Sequence, residues 1–210
     1  MAGHEGARRF FNNIVYEMLA PVYDGLDWST FGAWWRYVSR ALDHVPAHQR
    51  VLEVGFGPGK LQAALARQAE VCVGIDLALG MCRFTRQRLQ RGGLPVRLAR
   101  GSVFTLPFPS GAFDTVVSTF AISGLPNAEQ AVAEMTRVLV PEGRLVLVDI
   151  GLPLDGNRTG TFWAHLWERF GDFLYDYPAL MQANALDVMV FDEFGPGKHL
   201  RTVVGKKVSA

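Results

Sequence analysis

Apolar residues fall in two alternating patterns along the chain. Short runs of aliphatic and β-branched residues, Val51-Leu52-Glu53-Val54, Val71-Cys72-Val73-Gly74-Ile75-Asp76 and Phe113 to Thr119, predict strands. Val96-Arg97-Leu98-Ala99 alternates and predicts another. Between them the apolar positions repeat at helical spacing: Leu61, Ala64 and Leu65 after Lys60, a helix over 79–91, and Ala131, Met135, Val138 and Leu139 in a helix over 128–139. Asn127 is placed to cap that helix, with Gln130 as its capping-box partner, and Pro141-Glu142-Gly143 stops it. Arg144 to Ile150 is then almost unbroken apolar, as expected of a strand buried on both faces. Strands alternating with helices predict an α/β domain around a mostly parallel sheet.

The flanks read differently. Ahead of the first strand, Phe10 to Ala20 and Ser29 to Val45 predict two helices, separated by Pro21-Val22-Tyr23-Asp24-Gly25 and rich in aromatic residues. Past residue 150, Phe162, Trp163, Leu166, Trp167, Phe170, Phe173 and Leu174 predict a helix over 159–174. Ala185 to Phe191 and Leu200 to Val204 predict two further strands, joined through Phe194-Gly195-Pro196-Gly197. Aromatic stretches of this kind pack as core, line a pocket for a large apolar substrate, or touch a membrane surface. The sequence leaves all three open.

Composition narrows the class. A formal net charge of +1 over 210 residues argues against a dedicated nucleic-acid binder, which carries a strong basic excess. Arg83, Arg86, Arg88 and Arg91 on one helix read as a solvated face near its C-terminal end, or as an anion-binding face. Cys72 and Cys82 lack metal-site spacing and suggest a reducing, cytoplasmic setting. No apolar run approaches the roughly 20 residues needed to cross a bilayer. No signal-peptide apolar region follows the N-terminus, so a single soluble domain is expected.

The chemistry concentrates after the first strand. Gly55, Gly57 and Gly59 stand at alternate positions in Glu53-Val54-Gly55-Phe56-Gly57-Pro58-Gly59, at a strand-to-helix turn where a ligand can lie against backbone. A dinucleotide fingerprint would need glycine at position 60, which is Lys60. Asp76 ends the second strand, seventeen residues after Gly59. A carboxylate there can accept both ribose hydroxyls of a nucleoside, or cap the helix over 79–91.

The spacing acidic-x-Gly-x-Gly-x-Gly resembles motif I of the class I S-adenosylmethionine-dependent methyltransferases. The segments Gly101-Ser102-Val103-Phe104-Thr105-Leu106-Pro107-Phe108 with Phe113-Asp114, and Arg137-Val138-Leu139-Val140-Pro141-Glu142-Gly143, are similar to the same family over about residues 50 to 150. Tyr23-Asp24 ahead of a Trp-containing helix is similar to the ubiquinone/menaquinone-biosynthesis type, with its methyltransferase domain 11-like core. The resemblance implies a Rossmann-like seven-stranded sheet, mostly parallel with an antiparallel last strand. It implies one domain: an N-terminal helical lid (1–48), a cofactor-binding core (49–150), and a substrate-side helix with a C-terminal hairpin (151–210). The implied cofactor is S-adenosyl-L-methionine. Glu53 and the Gly55-Phe56-Gly57-x-Gly59 turn would face its methionyl and ribose parts, Asp76 the ribose hydroxyls, and Leu77 and Met81 the adenine face. Ser102 stands where the family has an aspartate that accepts the adenine amine, so adenine recognition shifts toward Val103 and Phe104. The end of the fourth strand, from Thr119 through Phe120 to Ile122, would face the transferring methyl, and Tyr23 would contact the cofactor from the lid.

Methyl transfer from a sulfonium needs alignment and a dry site, and a general base only when the nucleophile arrives protonated. His165, on the aromatic helix, Tyr23 and Asp24 are the candidates for that base; an exposed helix histidine is the plainer reading of His165. No Asn/Asp-Pro-Pro-Tyr sequence follows the fourth strand, where Ser118-Thr119-Phe120-Ala121 stands, so nucleobase and glutamine amines are disfavoured as acceptors. A small-molecule acceptor is expected, apolar, aromatic or lipid-like, with peripheral membrane contact as one reading of the aromatics. A non-catalytic S-adenosylmethionine-binding protein and an NAD-dependent oxidoreductase are the alternatives.

Overall fold

The computed structural model describes residues 32–209. The expected first helix, Tyr23 and Asp24 lie outside the described residues. Seven strands form one sheet: β1 Arg50–Val54, β2 Val71–Asp76, β3 Leu98–Arg100, β4 Phe113–Thr119, β5 Leu139–Ile150, β6 Leu186–Phe194 and β7 Leu200–Lys207. Their order is β3-β2-β1-β4-β5-β7-β6. Pairing is parallel from β3 to β5, and β7 runs antiparallel to both its neighbours. Strand order therefore reverses between β1 and β4, which opens a crevice beyond their carboxyl ends.

Among the described residues six α-helices flank the sheet: α1 Ala33–Val38, α2 Lys60–Gln68, α3 Leu79–Arg91, α4 Ala128–Val138, α5 Arg158–Phe170 and α6 Tyr177–Ala183. Successive residues of a strand point to opposite faces, so each face receives its own core. Leu52, Val116 and Leu145 pack with Met135 of α4 and Met181 of α6 on one side. Val51, Val117 and Val146 pack with Leu61 and Leu65 of α2 and with Val38 on the other. Coverage of both faces is why the central strands read as near-continuous apolar runs.

Several boundaries differ from the sequence expectation. The helix expected over 29–45 is, within the described residues, α1 continued by a 3-10 turn over Ser39–His44. β5 starts at Leu139, ahead of the expected Arg144. Phe113 pairs with Leu139 while Thr115 pairs with Arg144, so the Pro141-Glu142-Gly143 turn is a bulge within the strand, with Glu142 at φ 64°. The aromatic helix ends at Phe170 because Gly171 adopts φ 117°, a left-handed cap. α6 was not anticipated. Asp176 caps it by accepting from the Ala179 amide at 3.1 Å, with Pro178 in its first turn.

Candidate active site

A cavity of about 580 Å³ opens beyond the carboxyl ends of β1, β2, β4 and β5. The glycine turn forms one wall. Gly57, at φ 48°, would project a Cβ into open space, so its bare face is available to a ligand. Gly55, at φ 73°, would drive a Cβ to within 2.7 Å of the Ala121 Cβ, so the turn and the end of β4 meet only because position 55 carries no side chain. The Thr85 hydroxyl of α3 donates to the Gly57 carbonyl at 2.7 Å, which ties the turn to the next helix.

Asp76 organises the turn from below. One carboxylate oxygen accepts from the Gly57 amide at 2.9 Å and the other from the Ala78 amide at 2.9 Å. Asp76 thus closes the turn ahead of α3 without capping that helix, whose N-cap is Ala78, and supports the glycine turn, with lone pairs left on its oxygens. Burial pushes its carboxyl above the usual range, and the amide bonds hold it down. Glu53, 1% exposed, has one carboxylate oxygen that meets no hydrogen-bond partner. Burial first, and the neighbouring Asp76 charge second, raise its carboxyl well above the ordinary value. A buried acid left unmatched beside a second acid is a place for a ligand cation.

Leu77, Met81, Val103 and Phe104 line the same cavity. Ser102 does too, but its hydroxyl oxygen accepts from the Phe104 amide at 3.2 Å, so it shapes the loop that presents Val103 and Phe104. Arg137 of α4 holds the far end of that loop, donating to the Leu106 carbonyl at 3.0 Å and to Glu134. Trp34, Trp35, Phe120, Ile122, Leu125 and Trp167 make most of the remaining wall apolar and aromatic, with Ser123 and Asp172 among them.

Of the residues singled out from sequence, Glu53, Gly55, Phe56, Gly57, Asp76, Leu77, Met81, Ser102, Val103, Phe104 and Thr119 line this one cavity. Gly59 lies behind it, against Thr85. His165 does not line it: it pairs with Glu168 at 2.9 Å and borders a separate outer groove. The aromatic helix divides its roles, with Trp167 on the cavity and Phe162 and Phe170 exposed. Both cysteines are protonated thiols at neutral pH, because burial pushes Cys72 up to about 12 and Cys82 up to about 11.

A second set of acids, missed from sequence, stands behind the far wall. Asp149, near the end of β5 and 2% exposed, accepts from the Ser123 amide at 3.1 Å and the Ile150 amide at 2.9 Å. Its signal was the single charge in the otherwise apolar run 145–150. Asp172 and Ser123 line the cavity directly. Burial raises the Asp149 carboxyl from 3.8 to about 6, so the folded protein holds a proton that the unfolded chain has already released. The stability this contributes is complete below pH 3.8 and falls as pH rises through about 6. The stability difference between the native protein and Asp149→Asn is accordingly expected to fall by on the order of 3 kcal/mol across that window, read from denaturant midpoints at each pH.

Comparison with known proteins places this geometry in context. A family model described as a methyltransferase domain matches residues 52–147. A demethylmenaquinone methyltransferase of Thermus thermophilus is 37% identical over 148 residues, covering 68% of this chain and 67% of that protein. One from Deinococcus radiodurans is 33% identical over 182 residues, covering 81% and 71%. Among solved structures, the geranyl diphosphate C-methyltransferase of Streptomyces coelicolor, in complex with magnesium, geranyl diphosphate and S-adenosyl-L-homocysteine, superposes with a TM-score of 0.69 at 14% identity, over 81% of this chain and 76% of that one.

Proposed function

For a chain that belongs to the S-adenosylmethionine-dependent methyltransferases, we propose that the acceptor is a hydroxyaromatic ring of the quinol type carrying an apolar substituent. Support comes from relatives named demethylmenaquinone methyltransferases. The observation that carries the reading is the change in character along one cavity, from Glu53 and Asp76 at one end to Trp34, Phe120, Ile122, Leu125 and Trp167 at the other. A charged, hydroxylated cofactor suits the first end and a flat apolar acceptor the second.

On this reading the cofactor supplies a methyl group on a positively charged sulfur. The unpartnered Glu53 oxygen accepts from its ammonium, and that cation relieves the cost of burying the carboxylate. The free lone pairs of Asp76 accept from the ribose hydroxyls. Leu77, Met81 and Phe104 flank the adenine, and the Val103 backbone meets its edge. Trp34, Phe120 and Trp167 hold the acceptor ring flat and keep water from the reacting atoms, so alignment supplies most of the rate.

Purified protein given methyl-labelled S-adenosylmethionine and a reduced, short-tailed prenyl naphthoquinone is expected to move the label into the quinol. Labelling only of phospholipid vesicles or of small thiols supplied in parallel would replace this acceptor class.

A further inference from the structure

We infer that Asp172, with Ser123 beside it, forms a second polar pole of the cavity that takes the acceptor's hydroxyl and removes its proton during methyl transfer. The inference rests on the hydroxyaromatic reading above. The placement of Asp172 is built by backbone. Gly171 ends α5 in the left-handed conformation, the Asp172 amide returns to the Trp167 carbonyl at 3.2 Å, and the Phe173 amide reaches the Ser123 carbonyl at 2.7 Å. Those bonds set Asp172 against the loop that follows β4, across β1 and β4 from the Asp76 end.

The Ser123 hydroxyl, 1% exposed on a cavity-lining residue, stands beside both the Asp149 and Asp172 carboxylates and favours the charged form of each. The neighbouring acids and bases are already committed. Both Asp149 oxygens take backbone amides, the Tyr175 hydroxyl donates to the Leu125 carbonyl, and Arg201 pairs with Glu193. Tyr177, 1% exposed, keeps a protonated phenol close to Asp149 and Asp172. Among the described residues no arginine or lysine pairs with Asp172, and burial raises its carboxyl above the ordinary range against the Ser123 hydroxyl, which lowers it.

The step balances without another reactant. The ring hydroxyl proton passes to an Asp172 oxygen as an electron pair, from the oxygen or from a conjugated ring carbon, bonds the methyl carbon. The methyl–sulfur pair stays on sulfur. On a methylated ring carbon, Asp172 returns its proton to the oxygen and then accepts the proton leaving that carbon, which it releases to solvent.

The test compares native protein, Asp172→Asn and Ser123→Ala with S-adenosylmethionine and a short-tailed prenyl 1,4-naphthalenediol. Asp172→Asn is expected to lower kcat about 100-fold or more with the dissociation constant for S-adenosylhomocysteine held within about twofold. The native kcat/KM rises with pH through one ionisation that the variant lacks, and Ser123→Ala lowers kcat by about tenfold. Asp172→Asn activity within about threefold of native, with an unchanged pH profile, overturns the inference while the acceptor reading stands. Parallel loss of S-adenosylhomocysteine binding overturns it too, by making Asp172 structural. A native protein inert toward the diol sinks the acceptor reading itself, and the inference falls with it.

Discussion

Asp76→Ala is expected to weaken binding of S-adenosylmethionine and S-adenosylhomocysteine by more than 100-fold. On the proposed reading, Asp76 makes two charge-assisted hydrogen bonds to ribose hydroxyls at about 1.5–3 kcal/mol each, and every 1.4 kcal/mol is a factor of about ten in affinity. A second loss compounds the first. The Gly57 and Ala78 amides, each 2.9 Å from an Asp76 oxygen, are left without an acceptor, so the glycine turn is released from the strand below it. Asp76→Asn separates the two contributions, because a carboxamide oxygen can still support one amide while the negative charge is gone. Calorimetric titration of all three proteins reads the order native, Asn, Ala. Binding by the alanine variant within about threefold of native would remove Asp76 from the ribose site.

Glu193→Ala carries the largest expected cost to stability. The Arg201 guanidinium lies 2.8 Å from Glu193, with the two side chains only 6% and 13% exposed, and 5.5 Å over the Phe191 ring. Burial pulls the Arg201 pKa down, and Glu193 is the neighbour that holds it up. Removing Glu193 leaves a buried cation without its partner, at a cost of about 3–5 kcal/mol, and also strips the Leu154 amide of its acceptor. For a chain of this size the thermal midpoint is expected to fall by roughly 10 °C. The double variant Glu193→Leu, Arg201→Met is expected to recover most of that loss, since a packed apolar pair avoids the desolvation of both charges. An unchanged midpoint for Glu193→Ala alone would mean that solvent already screens the pair.

The parts legible in the sequence were those that one short segment decides by itself. Gly55 and Gly57 announce their turn because a positive φ and a bare Cα are local demands. The strands around them follow because burial on both faces leaves an unbroken apolar run. The antiparallel β7 rested on resemblance, since periodicity sees a strand but not its neighbour. Asp172 was invisible for a different reason: a left-handed glycine and a bond to Ser123, far away in sequence, create its role. Two omissions had signals that went unread. Asp176-Tyr177-Pro178 is a helix start, and Asp149 is a charge in the otherwise apolar run 145–150.

The sheet order also governs how the chain emerges during synthesis. β6 is made before β7, yet β7 lies between β6 and β5 and is, among the described residues, the strand that β6 pairs with. Until residues 200–207 leave the ribosome, β6 is a strand without a ladder and β5 is the edge of a five-stranded parallel sheet. A chain stopped after Phe194 would therefore lose two strands rather than one, and would expose the β5 edge, with Val146 and Val148, to pairing with other nascent chains.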